Sequence, residues 1–207
     1  MIVIGITGSI GMGKSTASQM LMRLGVPVHD SDEAAHAALK SGSTVFDEIV
    51  KTFPKAYNKK QNRIDRKKLG EIVFGNPDKK GALESIVHPF VQESQRQFIK
   101  QMHVKGMKIV ALDIPLLFET GAQDRVDYTV TVTAPFHIQT QRVMARPNMT
   151  LDKFNAILES QVPDLQKQRL SDFVVQTGLG RSRSFSQLRA MLQDIKKLNA
   201  HAECAPA

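Results

Sequence analysis

Gly8-Ser9-Ile10-Gly11-Met12-Gly13-Lys14-Ser15, with Thr16 behind it, is the stretch on which the reading of this chain turns. It matches G-x-x-x-x-G-K-[ST] in full. It also has the context that the pattern requires: an apolar, β-branched run before it, Met1–Thr7, and an amphipathic segment after it, Lys14–Leu24. Glycines let consecutive backbone N–H groups turn inward as a nest for phosphate oxygens, and the helix that follows adds the positive end of its dipole. Lys14 then reaches the outer phosphates as a point charge, and the Ser15 hydroxyl is placed to ligate Mg²⁺. Gly11, Met12, Gly13, Lys14, Ser15 and Thr16 are therefore the candidate nucleotide-binding residues. The competing reading is a glycine-rich turn that merely precedes a helix.

Working outward, Ala17, Met20, Leu21 and Leu24 repeat at helical spacing, and Gly25 ends that helix. Val26–His29 reads as a second strand, so the chain opens strand–loop–helix–strand, the start of a parallel α/β sheet. Residues 33–53 read as helical with a break at Ser41-Gly42-Ser43. Tyr57–Asn62 reads as a loop or short hairpin, Asp65 as an N-cap, and Asn76-Pro77 as the start of another helix running towards Met102. Further strands are expected at Lys108–Ile114, Val126–Thr133 and Phe173–Val175, with a last helix over Ser184–Leu198. The core then comprises residues 1–32 and 104–200, with a helical insertion at 33–103, a lid at about 140–150 and a disordered tail at 201–207.

Four further features carry chemistry. Asp30 and Asp32 follow the second strand. If extended, both carboxylates project towards the sheet edge where open α/β folds bind ligands, and one can take a proton from a hydroxyl. Equally, Asp-Ser-Asp caps the next helix. Asp113 ends an apolar strand, a position from which a carboxylate faces Mg²⁺ or its water, or else caps a helix or pairs with a base. Arg142 and Arg146 share a helix face and can fork onto phosphate, or simply be solvated. His88 precedes Pro89 near the end of the mid-chain helix, where a structural hydrogen-bonding role is the simpler reading.

The 207 residues carry 28 Lys+Arg against 20 Asp+Glu, a net charge of +8 that favours anionic partners. The basic residues are scattered, there is no Trp and only 2 Tyr, so the pattern suits small polyphosphates better than nucleic acid. No run approaches the roughly 20 apolar residues of a membrane span. The apolar N-terminus reads as a strand and not a signal peptide, and the 1 Cys suits a reducing cytoplasm. No zinc-ligand spacing or hydrolase triad pattern is present.

Taken together, residues 5–16, Asp-Ser-Asp at 30–32 with Ala35-His36, Phe74–Pro77, His88-Pro89 and Asp-Ile-Pro-Leu-Leu-Phe-Glu at 113–119 resemble the dephospho-CoA kinase family. Gln141-Arg142-Val143 with Arg146, Gln161-Val162-Pro163, Lys167 and 171–175 extend the resemblance over most of the chain. It implies a P-loop NTPase fold of nucleoside-monophosphate-kinase type: a parallel sheet between helices, a helical substrate-binding insertion and a small lid. The implied reaction moves the γ-phosphoryl of ATP to the ribose 3′-hydroxyl of dephospho-CoA, giving CoA and ADP. By the same resemblance, Gly11–Thr16 hold ATP phosphates, Asp32 is the general base, and Arg142 and Arg146 belong to the lid. His88, Pro115, Leu116, Leu117 and Glu119 lie near the acceptor. His36 and Thr177 stand where many relatives carry Arg and Asn. Another small-molecule P-loop kinase is the nearest alternative, ahead of a nucleotide-dependent switch. Oligomeric state is not set by the sequence.

Overall fold

A computed structural model describes residues 1–203, with side chains described as far as Ala200. Among them the strands are β1 (Ile2–Thr7), β2 (Val28–Asp30), β3 (Tyr57–Asn58), β4 (Arg63–Ile64), β5 (Ile109–Asp113), β6 (Tyr128–Thr133) and β7 (Phe173–Gln176). The helices are α1 (Lys14–Arg23), α2 (Ser31–Ala38), α3 (Phe46–Thr52), α4 (Arg66–Val73), α5 (Pro77–Val104), α6 (Phe136–Met144), α7 (Leu151–Glu159), α8 (Asp164–Leu170) and α9 (Arg181–Glu203). The chain forms two compact units, Met1–His29 with Gly106 onward, and Asp30–Lys105.

The first unit is an α/β sheet with strand order β2-β5-β1-β6-β7. β1 lies between β5 and β6, parallel to both, and β6 pairs in parallel with β7. β5 is buried at every position, as a strand covered on both faces must be. Ile4, Ile6, Val130 and Val132 of the central strands pack with Leu21 of α1 and with Leu188 and Ile195 of α9. Parallel order directs the carboxyl ends of β1 and β5 to the same edge, which is where a ligand site forms in such sheets. β1 delivers the glycine loop to that edge, and β5 delivers Asp113.

The second unit is helical, with a two-stranded β3–β4 hairpin. Its core is Phe46, Ile49, Phe53, Ala56, Ile64, Leu69 and Ile86. Asp65 caps α4 by accepting from the N–H groups of Lys67 and Lys68, and Asn76 caps α5 by accepting from Lys79 N–H.

Three expectations change. The segment after β2 is not extended through Asp32: Asp30 accepts from Glu33 N–H at 2.9 Å and starts α2, so Asp32 lies in that helix's first turn. Capping an otherwise orphan N–H wins over a longer strand. His88-Pro89 is not near a helix end, because α5 runs 28 residues through Pro89. The lost N–H of Pro89 removes one ladder bond, while Leu83, Ile86 and Val87 just before it hold α5 in the core of the helical unit. Finally, α9 extends to Glu203, beyond the expected end at Leu198, so part of the expected tail is helical. The rest of that tail, 204–207, lies outside the described residues.

Candidate active site

The glycine loop is shaped by contacts on both of its sides. Gly11 and Gly13 have φ of +78° and +89°, the left-handed region that side chains resist. A Cβ on Gly8 would lie 2.6 Å from the carbonyl oxygen of Val132 on β6, so the loop hugs the sheet at its first residue. No side chain caps α1, and its first turn holds no acidic residue. Thr16 and Ala17 N–H donate to the Gly13 carbonyl, which leaves the N–H groups of Lys14 and Ser15 to face an anion.

The orientation of the loop peptides comes from the far half of the same unit. The Ile10 carbonyl accepts from Gln139 Nε2 at 2.8 Å, and the Met12 carbonyl accepts from the Thr177 hydroxyl at 2.5 Å. In a planar trans peptide the N–H points opposite to the carbonyl, so these contacts turn the N–H groups of Gly11 and Gly13 the other way. Arg142 Nη1 donates to Thr177 Oγ1 at 3.0 Å and more weakly to the Gly11 carbonyl at 3.4 Å, while Nη2 donates to the Thr177 carbonyl at 2.9 Å.

Lys14 forms an ion pair with the nearly buried Asp113, joining the loop to the end of β5. Ser18, one turn beyond Lys14, donates to the other Asp113 oxygen at 2.8 Å. Asp113 therefore pairs with the loop lysine, one of the roles open to it from sequence. Ser15 is exposed at the start of α1, so its hydroxyl is open to a ligand. Ser15 and Asp113 supply hard oxygen donors of the kind that Mg²⁺ takes while keeping waters and phosphate oxygens. The residues present fit that ion. Among the described residues, no group of three or more His, Cys, Asp or Glu could enclose a metal.

The Pro115–Glu119 segment follows β5. Thr7 Oγ1 donates to the Pro115 carbonyl at 3.0 Å, tying the segment to the end of β1. Pro115 and Leu116 are half-buried and available to a ligand. Leu117 is not: it is fully buried, so its contribution is packing beneath Gly5 and not substrate contact. Glu119 likewise points to protein, accepting from Val162 N–H at 2.8 Å and pairing at 2.8 Å with the fully buried Lys167. A buried ammonium demands such a partner.

Arg146 is exposed beyond the end of α6, away from the contacts that fix Arg142. In the helical unit, Asp32 and His88 are both exposed. There Arg66 Nη2 lies 2.6 Å from His36 Nε2, which places the acceptor lone pair of His36 on that nitrogen. Sequence reasoning did not single out Ser18, Gln139 or Gln161 by role. Ser18 carried a usable signal, its spacing of four from Lys14. Gln161 stands in the Gln161-Val162-Pro163 stretch of the family resemblance, which assigns it no role, and Gln139 carried no signal.

The sequence pattern of the dephospho-CoA kinase family matches residues 2–180. The chain belongs to the dephospho-CoA kinase family. A dephospho-CoA kinase of Mesorhizobium japonicum is 45% identical over 196 residues, covering 95% of this chain and 98% of that one. Among solved structures, TT1252 of Thermus thermophilus is 34% identical with a TM-score of 0.80, covering 93% of this chain and 97% of its own. The dephospho-CoA kinase of Campylobacter jejuni is 28% identical with a TM-score of 0.70, covering 95% and 98%. The match to the dephospho-CoA kinase pattern spans the glycine loop, the helical unit, α6 to α8 and Thr177, so every candidate residue lies within it.

Proposed function

We propose that this chain transfers the γ-phosphoryl group of ATP to the 3′-hydroxyl of the ribose in dephospho-CoA, releasing CoA and ADP, the last step in making coenzyme A. The observation that carries the phosphoryl-transfer part is the Lys14–Asp113 pair beside an uncapped helix N-terminus with Gly11 and Gly13 in left-handed conformation. Identity of 45% to a dephospho-CoA kinase over nearly the full length supports the choice of acceptor.

Phosphoryl transfer needs positioning and charge neutralisation more than covalent chemistry. Gly11 to Thr16 would hold the phosphates, chiefly through the N–H groups of Gly11, Gly13, Lys14 and Ser15, because Met12 N–H and Thr16 N–H donate to the Ser9 and Gly13 carbonyls. Lys14 would exchange its carboxylate partner for phosphate oxygens. Arg142, anchored on Thr177, would face the charge that develops at the transferred group, and Arg146 would close over it from the lid. Ser15 and Asp113 would hold a Mg²⁺, which would neutralise phosphate charge. Asp32 would accept the proton of the 3′-hydroxyl late in transfer, when that proton is acidic enough for a carboxylate. His88, Pro115 and Leu116 would line the acceptor region, with Leu117 and Glu119 supporting from behind. Closure of residues 140–150 would exclude water from the γ-phosphoryl. No described helix is long and apolar enough to cross a membrane. We place the reaction in the cytoplasm, on small-molecule substrates and without nucleic acid.

The test is ADP release with Mg-ATP in the presence of dephospho-CoA, adenosine, shikimate or no acceptor. Release that requires dephospho-CoA, with a product co-eluting with CoA, supports the reading. Release that requires another acceptor overturns the choice of substrate, and no release with any acceptor overturns the kinase.

A further inference from the structure

Ile10 sits inside the glycine loop, and both of its backbone polar groups are held by glutamine side chains. Its N–H donates to Gln161 Oε1 at 3.1 Å, and its carbonyl accepts from Gln139 Nε2 at 2.8 Å. Gln139 is buried on α6, while Gln161 is half-buried in the link between α7 and α8. The next residue, Val162, gives its N–H to Glu119, whose carboxylate is also held by Lys167. One dipeptide thus touches both the phosphate loop and the end of the Pro115–Glu119 segment.

We propose that Gln161 is a positioning residue for phosphoryl transfer, its amide oxygen setting the plane of the Ser9–Ile10 peptide and, through it, the aim of the amides that receive phosphate. This rests on the kinase reading above. With Ile10 N–H committed to Gln161, the Ser9 carbonyl points the opposite way, where it accepts from Met12 N–H at 3.1 Å and closes the turn. Without an acceptor at 161, the Ile10 N–H becomes an orphan in a half-buried place, and its nearest new partner is water or a phosphate oxygen. Either choice rotates the turn that fixes Gly11 and Gly13. A displacement of that kind weakens nucleotide binding and slows transfer together.

The two glutamines make opposite contacts, which gives a sharp discrimination. Gln161 accepts, so Gln161→Glu preserves its hydrogen bond. Gln139 donates to a carbonyl, so Gln139→Glu sets a carboxylate oxygen against the Ile10 oxygen.

The experiment measures affinity for an ATP analogue by titration calorimetry, kcat and KM for both substrates, and melting temperature, for Gln161→Leu, Gln161→Glu and Gln139→Glu in the full chain. We expect Gln161→Leu to bind nucleotide roughly tenfold more weakly, the worth of about one hydrogen bond, and to lose roughly tenfold in kcat as well because the loop amides are misaimed in the transition state. Its melting temperature and its KM for the acceptor stay near the parent's. Gln161→Glu returns both quantities to within about threefold of the parent, and Gln139→Glu does not. Parental affinity and kcat in Gln161→Leu would overturn the assignment, as would equal impairment of both Glu variants. Calorimetry needs no acceptor, so failure of the dephospho-CoA reading would leave this result separately readable.

Discussion

Arg142 grips one residue twice: its guanidinium donates to the Thr177 hydroxyl at 3.0 Å and to the Thr177 carbonyl at 2.9 Å. The same hydroxyl reaches the Met12 carbonyl, so the arginine and the phosphate loop share an anchor. Arg142→Ala is expected to lower kcat by about 10²–10³-fold, as removal of a preorganised charge-stabilising donor does. Thr177→Val, which keeps the shape and loses the hydroxyl, is expected to cost roughly tenfold. Thr177→Ser should restore activity. Pre-steady-state transfer rates at saturating ATP check all three.

Asp32 lies exposed in the first turn of α2, where its charge is also favourable to the helix dipole. Asp32→Asn is expected to bind ATP as the parent does and to turn over about 10²–10⁴-fold more slowly, the usual worth of a general base. Normal turnover in this variant would remove Asp32 from the mechanism.

Lys167 has no exposed surface, and its partner Glu119 is largely covered. Lys167→Ala strands a carboxylate and is expected to destabilise the chain by about 3–5 kcal/mol, read from urea unfolding. The double change Lys167→Met with Glu119→Gln removes both charges and should recover much of that loss. Recovery of stability without activity would identify the pair as support for the Pro115–Glu119 segment.

Asp65 is held below the ordinary carboxylate value of 3.8, chiefly by the hydrogen bond from Lys68 N–H, with the N–H of Lys67 and the charges of Lys68 and Arg63 adding to it. Its folded form binds the proton more weakly than the unfolded chain. The stabilisation is therefore full above pH 3.8 and is lost as pH falls through the lower folded value. Asp65→Asn keeps a capping oxygen but no titrating charge. The stability difference between parent and variant should be present at about pH 6 and shrink towards about pH 3. A gap of constant size across that range would contradict the assignment.

The fold was legible where the signal is local. Glycine punctuation marks the loop, Asp65 and Asn76 mark helix starts, and the unbroken apolar run of β5 marks a strand covered on both faces. Asp30 and Asp32 were harder, because a strand end and a helix cap use the same residue types and only the Asp30–Glu33 bond decides between them. Glu119 carries the family signature but turns to Lys167, and no periodicity announces a partner so far along the chain. Gln139 and Gln161 are the extreme case. Amides obey no spacing rule, and their tie to Ile10 exists only once α6 and the α7–α8 link have folded against the loop.

Gly8 has a consequence for how such loops age. Its lack of a side chain is imposed by the Val132 carbonyl oxygen 2.6 Å away from a would-be Cβ, a neighbour inside the sheet and not a ligand. A descendant that had abandoned catalysis would still need that glycine in order to fold, while Ser15, exposed at the start of α1, is under no such packing demand. Decay of this motif should therefore run from its hydroxyl end, and a homologue that kept the first glycine but had neither Ser nor Thr at position 15 would retain the architecture without the hydroxyl that the proposed Mg²⁺ site needs.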